Sequence, residues 1–512
     1  MTMKRIVLVL FSLVCAASML FAGGKQGSAG SDKPLAITMY YSDNATLPFH
    51  NDWLTVQEAQ KRYNVKINWE IIPIADYSTK VSLALNSGNG PDVILYQSIA
   101  GENASLAMNG AIVPISDYPQ WTPEWNARVQ EFGIQADVDA LKLKDGKRYS
   151  LPSLTDVPFY DGGLILREDV LAKYKLPAPK TYDDLYAVLK AYKADNPASY
   201  PLTVLVGPRV LYRMTQPAWG ISLHLNGAGG SRVLSWDYSK NTFFAGAISE
   251  EYRTYLRFWH KLYAEGLLDP ELEPVGDAWA TKMATGKSIA TYAYYDQIGG
   301  VEAAAEIPGF KLNMYPALAG PAGAHHQQKA KTGSGIIFPI TTSKRADFER
   351  IVRTVDAMFF SKEAALLWCI GVEGQTYTMS GNTIKYADSI LKSPDGIYKH
   401  MQLQYGAGSD VTQTVWVNAR EMTKYDENYA KINQQVSAMG GVIQAIPPTP
   451  KFDDLAAEKA TSLMGPLFDA FNVWDNAFIT GTKNIDRDWA AYVAEMTQKG
   501  INDYLALYNS NL

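Results

Sequence analysis

The sequence predicts an α/β protein of more than one domain, and three observations carry that expectation. From Leu35 onward, apolar runs of strand length alternate with helical stripes. The chain has 512 residues, more than the ~100–200 that one core usually organises, so two or three domains are expected. Phe159-Tyr160-Asp161-Gly162-Gly163-Leu164-Ile165-Leu166 couples glycine freedom to a new strand, which suits a crossing into a second lobe.

The elements follow in order. Lys4 and Arg5 precede the uncharged, mostly apolar run Ile6–Ala22, which gives way to Gly23 and Gly24. That is the layout of a secretory signal peptide, 1–22, with a flexible tether at 23–31. The run is short for a bilayer span of roughly 20 residues, so the mature chain is expected to be exported and free in water. Leu35–Tyr41 reads as a strand and Trp53–Tyr63 as a helix. Val65, Ile67, Trp69 and Ile71 alternate with polar residues, the mark of a strand with one wet face at a sheet edge. Asp76 is placed to cap the next helix, which buries Tyr77, Val81, Ala84 and Leu85 and stops at Ser87–Pro91. Asp92–Tyr96 is a third strand. This βαβαβ order implies a parallel sheet with its second strand outermost and with ligands beyond the strands' carboxyl ends, where Tyr41, Tyr96 and Gln97 stand either as wall and core or as binding residues.

A second lobe is expected after Tyr149–Pro152. Thr181 with Asp184 three residues later forms a variant capping box, and Leu185, Val188, Leu189 and Tyr192 mark the buried face of that helix. Glu250–Leu262, Arg345–Ile370 and Trp489–Tyr508 are further helical stretches.

Charge and motifs narrow the function classes. With 47 basic and 52 acidic residues interspersed, the chain lacks the basic footprint of a nucleic-acid partner. Cys15 lies in the leader and Cys369 in an apolar run, where a small buried hydrophobe is the reading favoured over a reactive thiol. There is no Gly-x-Ser-x-Gly and no His-Glu-x-x-His. His325-His326 reads as a solvated loop rather than a metal site. The 12 Trp and 31 Tyr residues suit sugar recognition, since a sugar ring stacks an apolar face on aromatic rings and offers hydroxyls to planar partners. Trp219, in the irregular Gln216-Pro217-Ala218-Trp219-Gly220, stands between core and cleft. A secreted glycoside hydrolase or polysaccharide lyase is the alternative class, because the separation of two carboxylates in space cannot be read from sequence.

Several phrases in order make the family specific: Asn86–Ile94, Gly110–Ile115, Leu166–Asp169 with Pro179–Tyr182, Leu262–Glu271, Gly371–Tyr377 and Phe478–Gly481. Together they resemble extracellular solute-binding proteins of family 1, in the branch of ABC importers for polysaccharide fragments. The resemblance implies a two-lobe, type II periplasmic-binding-protein-like fold, each lobe a mainly parallel sheet flanked by helices, with the ligand cleft between them. It implies an N-terminal lobe of 32–156 plus 331–398 and a C-terminal lobe of 157–330 plus 399–512, with crossings at Gly333–Ile340 and near Lys399–Tyr405. It also implies a monomeric receptor that delivers a sugar or oligosaccharide to permease transmembrane subunits. Relatives are often lipoproteins with a cysteine directly before the tether, whereas Gly23 follows Ala22 here, so a free periplasmic receptor that meets the membrane only through the permease is expected, with lipid anchoring through Cys15 the less favoured alternative. No catalytic residue, cofactor or metal is expected. In particular, 193–201 offers one carboxylate and one amide where relatives carry a calcium loop. Glu373 and Tyr377 fall in a phrase that contacts sugar in relatives, with Thr376 where they have Trp. Tyr294, Tyr295 and Asp296 sit at a cleft-facing strand end, and Tyr160 and Asp161 in the crossing. Trp416 and Arg420 lie where the second lobe resumes, Arg420 serving either a uronate or sulfate or an ordinary ion pair.

Overall fold

The computed structural model describes residues 33–43, 48–99, 102–155, 162–205, 207–223, 232–273, 278–328, 330–381, 383–393, 397–408, 415–416, 434 and 443–512. The expected signal peptide and tether lie outside the described residues.

The strands, in chain order, are β1 (Leu35–Asp43), β2 (Val65–Pro73), β3 (Val93–Gln97), β4 (Leu151–Thr155), β5 (Gly162–Arg167), β6 (Leu202–Val204), β7 (Ser235–Asp237), β8 (Thr242–Phe244), β9 (Ala290–Tyr294), β10 (Leu312–Tyr315), β11 (Ala319–Gly320), β12 (Gly323–Ala324), β13 (His326–Gln327), β14 (Thr332–Ile337), β15 (Tyr377–Ser380), β16 (Thr383–Tyr386), β17 (Val415–Trp416) and β18 (Ile443–Gln444). Two sheets organise two lobes. The first runs β17-β4-β14-β3-β1-β2, with β2 outermost; the second runs β10-β5-β9-β6.

Alternation along β1 explains the first lobe. Leu35, Ile37 and Met39 enter one core with Val56 and Ala59 of the helix Leu54–Arg62, whereas Tyr40 enters another with Tyr77, Val81 and Leu85 of the helix Ile74–Ser87. The sheet is therefore covered on both faces, as a doubly wound α/β unit requires. The edge strand follows the same logic: Val65 and Ile67 face the first core, Ile72 faces the second, and Ile71 is left 41% exposed. Asp76 does not cap its helix. Pro73 holds the N-cap position, and Asp76 lies in the first turn, where a carboxylate favours the helix dipole. The capping box of the helix Tyr182–Asp195 forms as read: Asp184 N donates to Thr181 Oγ1 at 3.0 Å and Thr181 N to Asp184 Oδ2 at 2.9 Å.

Both sheets are mixed. β2 and β3 flank β1 in parallel, but β14 runs antiparallel to β3 and β4 because it brings the chain back from the second lobe. In the second sheet β5 is antiparallel to β9 and β10, and only β6–β9 is parallel. Its two faces bury different sets, Leu164, Leu166 and Tyr292 against Ile165, Ala293 and Met314.

The boundary expected at residue 398 moves. Helix Ile397–Tyr405 joins the first lobe: Trp53 Nε1 donates to Leu403 O at 2.9 Å and Thr55 Oγ1 to Tyr405 O at 2.9 Å. β17 then extends the first sheet beside β4, Val415 opposite Leu154. Two long helical readings also break. Ser361 separates Phe348–Phe360 from Lys362–Ile370 and caps the second, and Gly500, at φ +92°, separates Ile485–Gln498 from Ile501–Asn509. Both final helices, with Asp454–Thr480, pack on the second lobe. Among the described residues no helix is long and apolar enough to cross a membrane.

Candidate functional site

The crossings locate the facing ends of the two sheets. β4 ends at Thr155 and β5 begins at Gly162; on the return, β14 begins at Thr332. Thr155 N donates to Lys331 O at 3.1 Å, so the outgoing and returning segments run side by side. Gln97 pairs with Gly335, three residues beyond Thr332, or ~10 Å of strand. In the second sheet Gly162 pairs with Tyr294. The carboxyl end of β3 and the junction of β5 with β9 therefore face the crossings.

On the first lobe, Tyr96 is the residue this geometry presents. Two steps along β14, from Gly335 to Ile337, match three along β3, from Gln97 to Ile94, so β3 carries a bulge. Tyr96 has φ +58° and is 44% exposed. A positive φ is a strained conformation for a bulky residue, and bulges re-aim side chains beside functional sites. Gln97 pins the bulge: it is buried, its Nε2 donates to Tyr96 O at 3.1 Å, and its Oε1 accepts from Asn103 Nδ2 at 3.1 Å. Tyr41, by contrast, is 2% exposed and packs its ring 4.6 Å from Phe49 and 6.1 Å from Trp69. Its position on β1 turns it toward the helical core.

On the second lobe, sequence reasoning missed the main polar groups. Arg213 and Met214, from the helix Gly207–Thr215, meet Gly162, Gly163, Tyr292, His325 and His326 around a recess of ≈20 Å³. Met214 packs its terminal methyl where a side chain at 162 would start: a Cβ there would lie 2.0 Å from Met214 Cε, so the methionine would have to swing aside. Arg213 Nη1 lies 3.5 Å from the hydroxyl of half-buried Tyr294. His326 is not a solvated loop residue. It is buried, accepts from Ala317 N at 3.0 Å through Nε2, and burial lowers its imidazole to about 4, so it is neutral at physiological pH. No periodicity marks Arg213; its only local signal is the neighbouring Tyr212, which is buried.

Three of the other expected contacts, Trp219, Tyr295 and Tyr377, are core. Trp219 is 4% exposed, with ring centroids of Tyr182, Tyr255 and Phe258 at 4.5, 5.2 and 5.4 Å, because the short 3₁₀ turn Gln216–Trp219 delivers its ring between two helices. Tyr295 is buried with Trp279 and Met283. Tyr377 is buried with Ile370, Ile384 and Tyr386 and does not replace the missing Trp. Thr376 fills that turn instead: its Oγ1 accepts from Val372 N at 2.8 Å and donates to Ile370 O at 3.1 Å. Glu373 is exposed at the start of the same turn. Tyr160, Asp161 and Arg420 lie outside the described residues, as do the side chains of Asp296 and Trp416.

Within 193–201, the Lys193 ammonium donates to Ser199 O at 2.6 Å and lies 5.1 Å from the Tyr200 ring centroid. Among the described residues no group of three or more His, Cys, Asp or Glu is placed to hold a metal. A groove beside Pro34, Gln57, Lys61 and Lys66 lies at the far end of the first sheet, where β1 and β2 begin.

Comparison with known proteins gives the following. The model of the bacterial extracellular solute-binding protein family matches residues 55–348. Lipoprotein LipO of Bacillus subtilis (strain 168) is 25% identical over 66% of this chain, which spans 65% of LipO's length. The fructooligosaccharide ABC transporter substrate-binding protein FusA of Streptococcus pneumoniae serotype 4 is 23% identical over 98% of this chain and 96% of its own. The crystal structure of alginate-binding protein AlgQ2 without calcium ion superposes with a TM-score of 0.76 at 21% identity, covering 94% of this chain and 98% of that one.

Proposed function

Because the chain belongs to the bacterial extracellular solute-binding protein family, we propose that it is the extracytoplasmic receptor of an ABC importer, closing on an oligosaccharide and delivering it to a membrane permease. The observation that carries this reading is the pair of adjacent crossings, Thr155 beside Lys331, with a sheet end facing them from each lobe. FusA and AlgQ2, named for fructooligosaccharide and alginate, support a carbohydrate as the solute. The described residues within 33–155 and 331–416 form the first lobe, and the remaining described blocks form the second. The receptor works in the periplasm as a monomer.

Binding is hinge closure. A solute held by Tyr96 from one lobe and by Tyr294 and Arg213 from the other gains contacts that neither open lobe supplies alone, and this difference shifts the population to the closed form. Affinity is reduced by whatever fraction of the free receptor is not competent to close. The closed shape is what a permease reads, and the solute leaves intact.

The test is a thermal-shift panel of maltotriose, xylotriose, kestose and trigalacturonate, followed by product analysis. A bound saccharide raises Tm because it binds only the folded state. Sustained cleavage of any of them would instead establish a hydrolase or lyase.

Tyr96 gives the site-level prediction. Loss of a stacking ring in Tyr96→Ala should weaken the best saccharide about tenfold, equivalent to ~1.4 kcal/mol. Tyr96→Gly should weaken it as much without lowering Tm, since glycine adopts φ +58° freely. Calorimetric titration with wild-type affinity in both variants removes Tyr96 from the site.

A further inference from the structure

Adjacent histidines at the facing end of the second sheet have opposite tautomers. His325 Nε2 lies 2.8 Å from Ala322 O. A carbonyl only accepts, so Nε2 carries the proton, and in that tautomer Nδ1 is a bare lone pair. His326 is the reverse: its Nε2 accepts from Ala317 N. The Nδ1 of His325 is buried and has no hydrogen-bond partner among the described residues.

That lone pair belongs to a ring lining the ≈20 Å³ recess, together with Arg213 and Gly162. The space suits one water-sized group and nothing larger. Arg213 can only donate and His325 Nδ1 can only accept. A group seated between them must therefore accept and donate at once, which a hydroxyl or a water does. A carboxylate has no proton to offer His325, and an ammonium has no lone pair for Arg213.

We propose that this recess is a hydroxyl subsite: it holds one ordered water in the free protein and exchanges it for a hydroxyl of the solute on closure. The exchange rests on the receptor reading above; the water does not. It follows that the part of the solute reaching this wall is a neutral polyol edge rather than a uronate carboxylate.

A crystal structure of the unliganded mature protein at a resolution that shows waters is the first test. It should place a water within about 3.2 Å of both His325 Nδ1 and an Arg213 nitrogen. An empty recess, or an anion there, overturns the proposal. Titrations of His325→Gln, which retains an acceptor, and His325→Phe, which fills the space without one, then test the exchange against maltotriose, xylotriose, kestose and trigalacturonate. For the neutral sugar that binds, the Phe variant should lose about tenfold in affinity while the Gln variant stays within about threefold. Equal losses in both variants, or trigalacturonate as the preferred ligand with its affinity sensitive to His325→Phe, overturn it. If no saccharide binds the wild type, the receptor reading fails, and the water alone decides the subsite.

Discussion

Asp475→Ala should destabilise the second lobe by about 3–5 kcal/mol at pH 4–5, with the difference from wild type shrinking toward pH 7. Asp475, on the helix Asp454–Thr480, is buried, and its two oxygens each accept from a tyrosine hydroxyl, Tyr212 on Oδ2 and Tyr252 on Oδ1. Alanine strands two buried phenols, at about 1–3 kcal/mol each, and leaves a small void. The pH dependence has a definite sign. Burial raises this carboxyl to about 6, against the downward pull of the two tyrosine hydrogen bonds. The folded state keeps a proton that the unfolded chain gives up near 3.8. Its contribution is therefore full below about 4 and is lost as pH rises through about 6. Asp475→Asn should remove that slope while retaining one acceptor for the tyrosines. Urea titrations of the three proteins from pH 4 to 8 measure this directly; parallel stability curves for wild type and the Asn variant would show that folding does not shift the Asp475 carboxyl.

Gly335→Val should be at least as damaging, at about 3 kcal/mol or more. Gly335 lies on β14 between β3 and β4, opposite Gln97 on one side and Pro152 on the other. A Cβ at 335 would stand 2.1 Å from Leu151 O and 2.4 Å from Pro152 Cα. Both are backbone atoms of the neighbouring strand, so no rotamer change relieves the clash and the strands must part. Because β14 is the returning crossing, the hinge is disturbed along with the sheet. Gly299→Ala is the matched control: nothing lies within 4 Å of a Cβ there, and in the helix Ile298–Ala304 alanine should add about 0.5–1 kcal/mol. Scanning calorimetry of the two variants, with Tm unchanged for Gly335→Val, would refute the steric account.

What could be read from the sequence was local or periodic. The Thr181 capping box needs only four residues, and the sandwiched first sheet follows from the alternation along β1 and the stripe at Tyr77, Val81, Ala84 and Leu85. What could not be read depended on distant partners. Trp219 sits in a stretch with no period, yet rings from residues 182, 255 and 258 enclose it. Val415 pairs with Leu154 across more than half the chain, so the extent of the first lobe was invisible. For the site, Tyr96 was legible as a strand end but its bulge was not, because the bulge is defined by β14. Arg213 and the tautomers of His325 and His326 depend on three separated segments meeting at one sheet end.

The interleaving of the lobes also sets a timetable for the nascent polypeptide. The first sheet takes strands from Leu35 through Trp416, and the second core draws on residues from Leu164 to Tyr508. While the ribosome is still working, at roughly 5–20 residues per second, neither nucleus has all its parts. A polypeptide whose own topology postpones maturation in this way would stay threadable by any channel that accepts only unfolded chains.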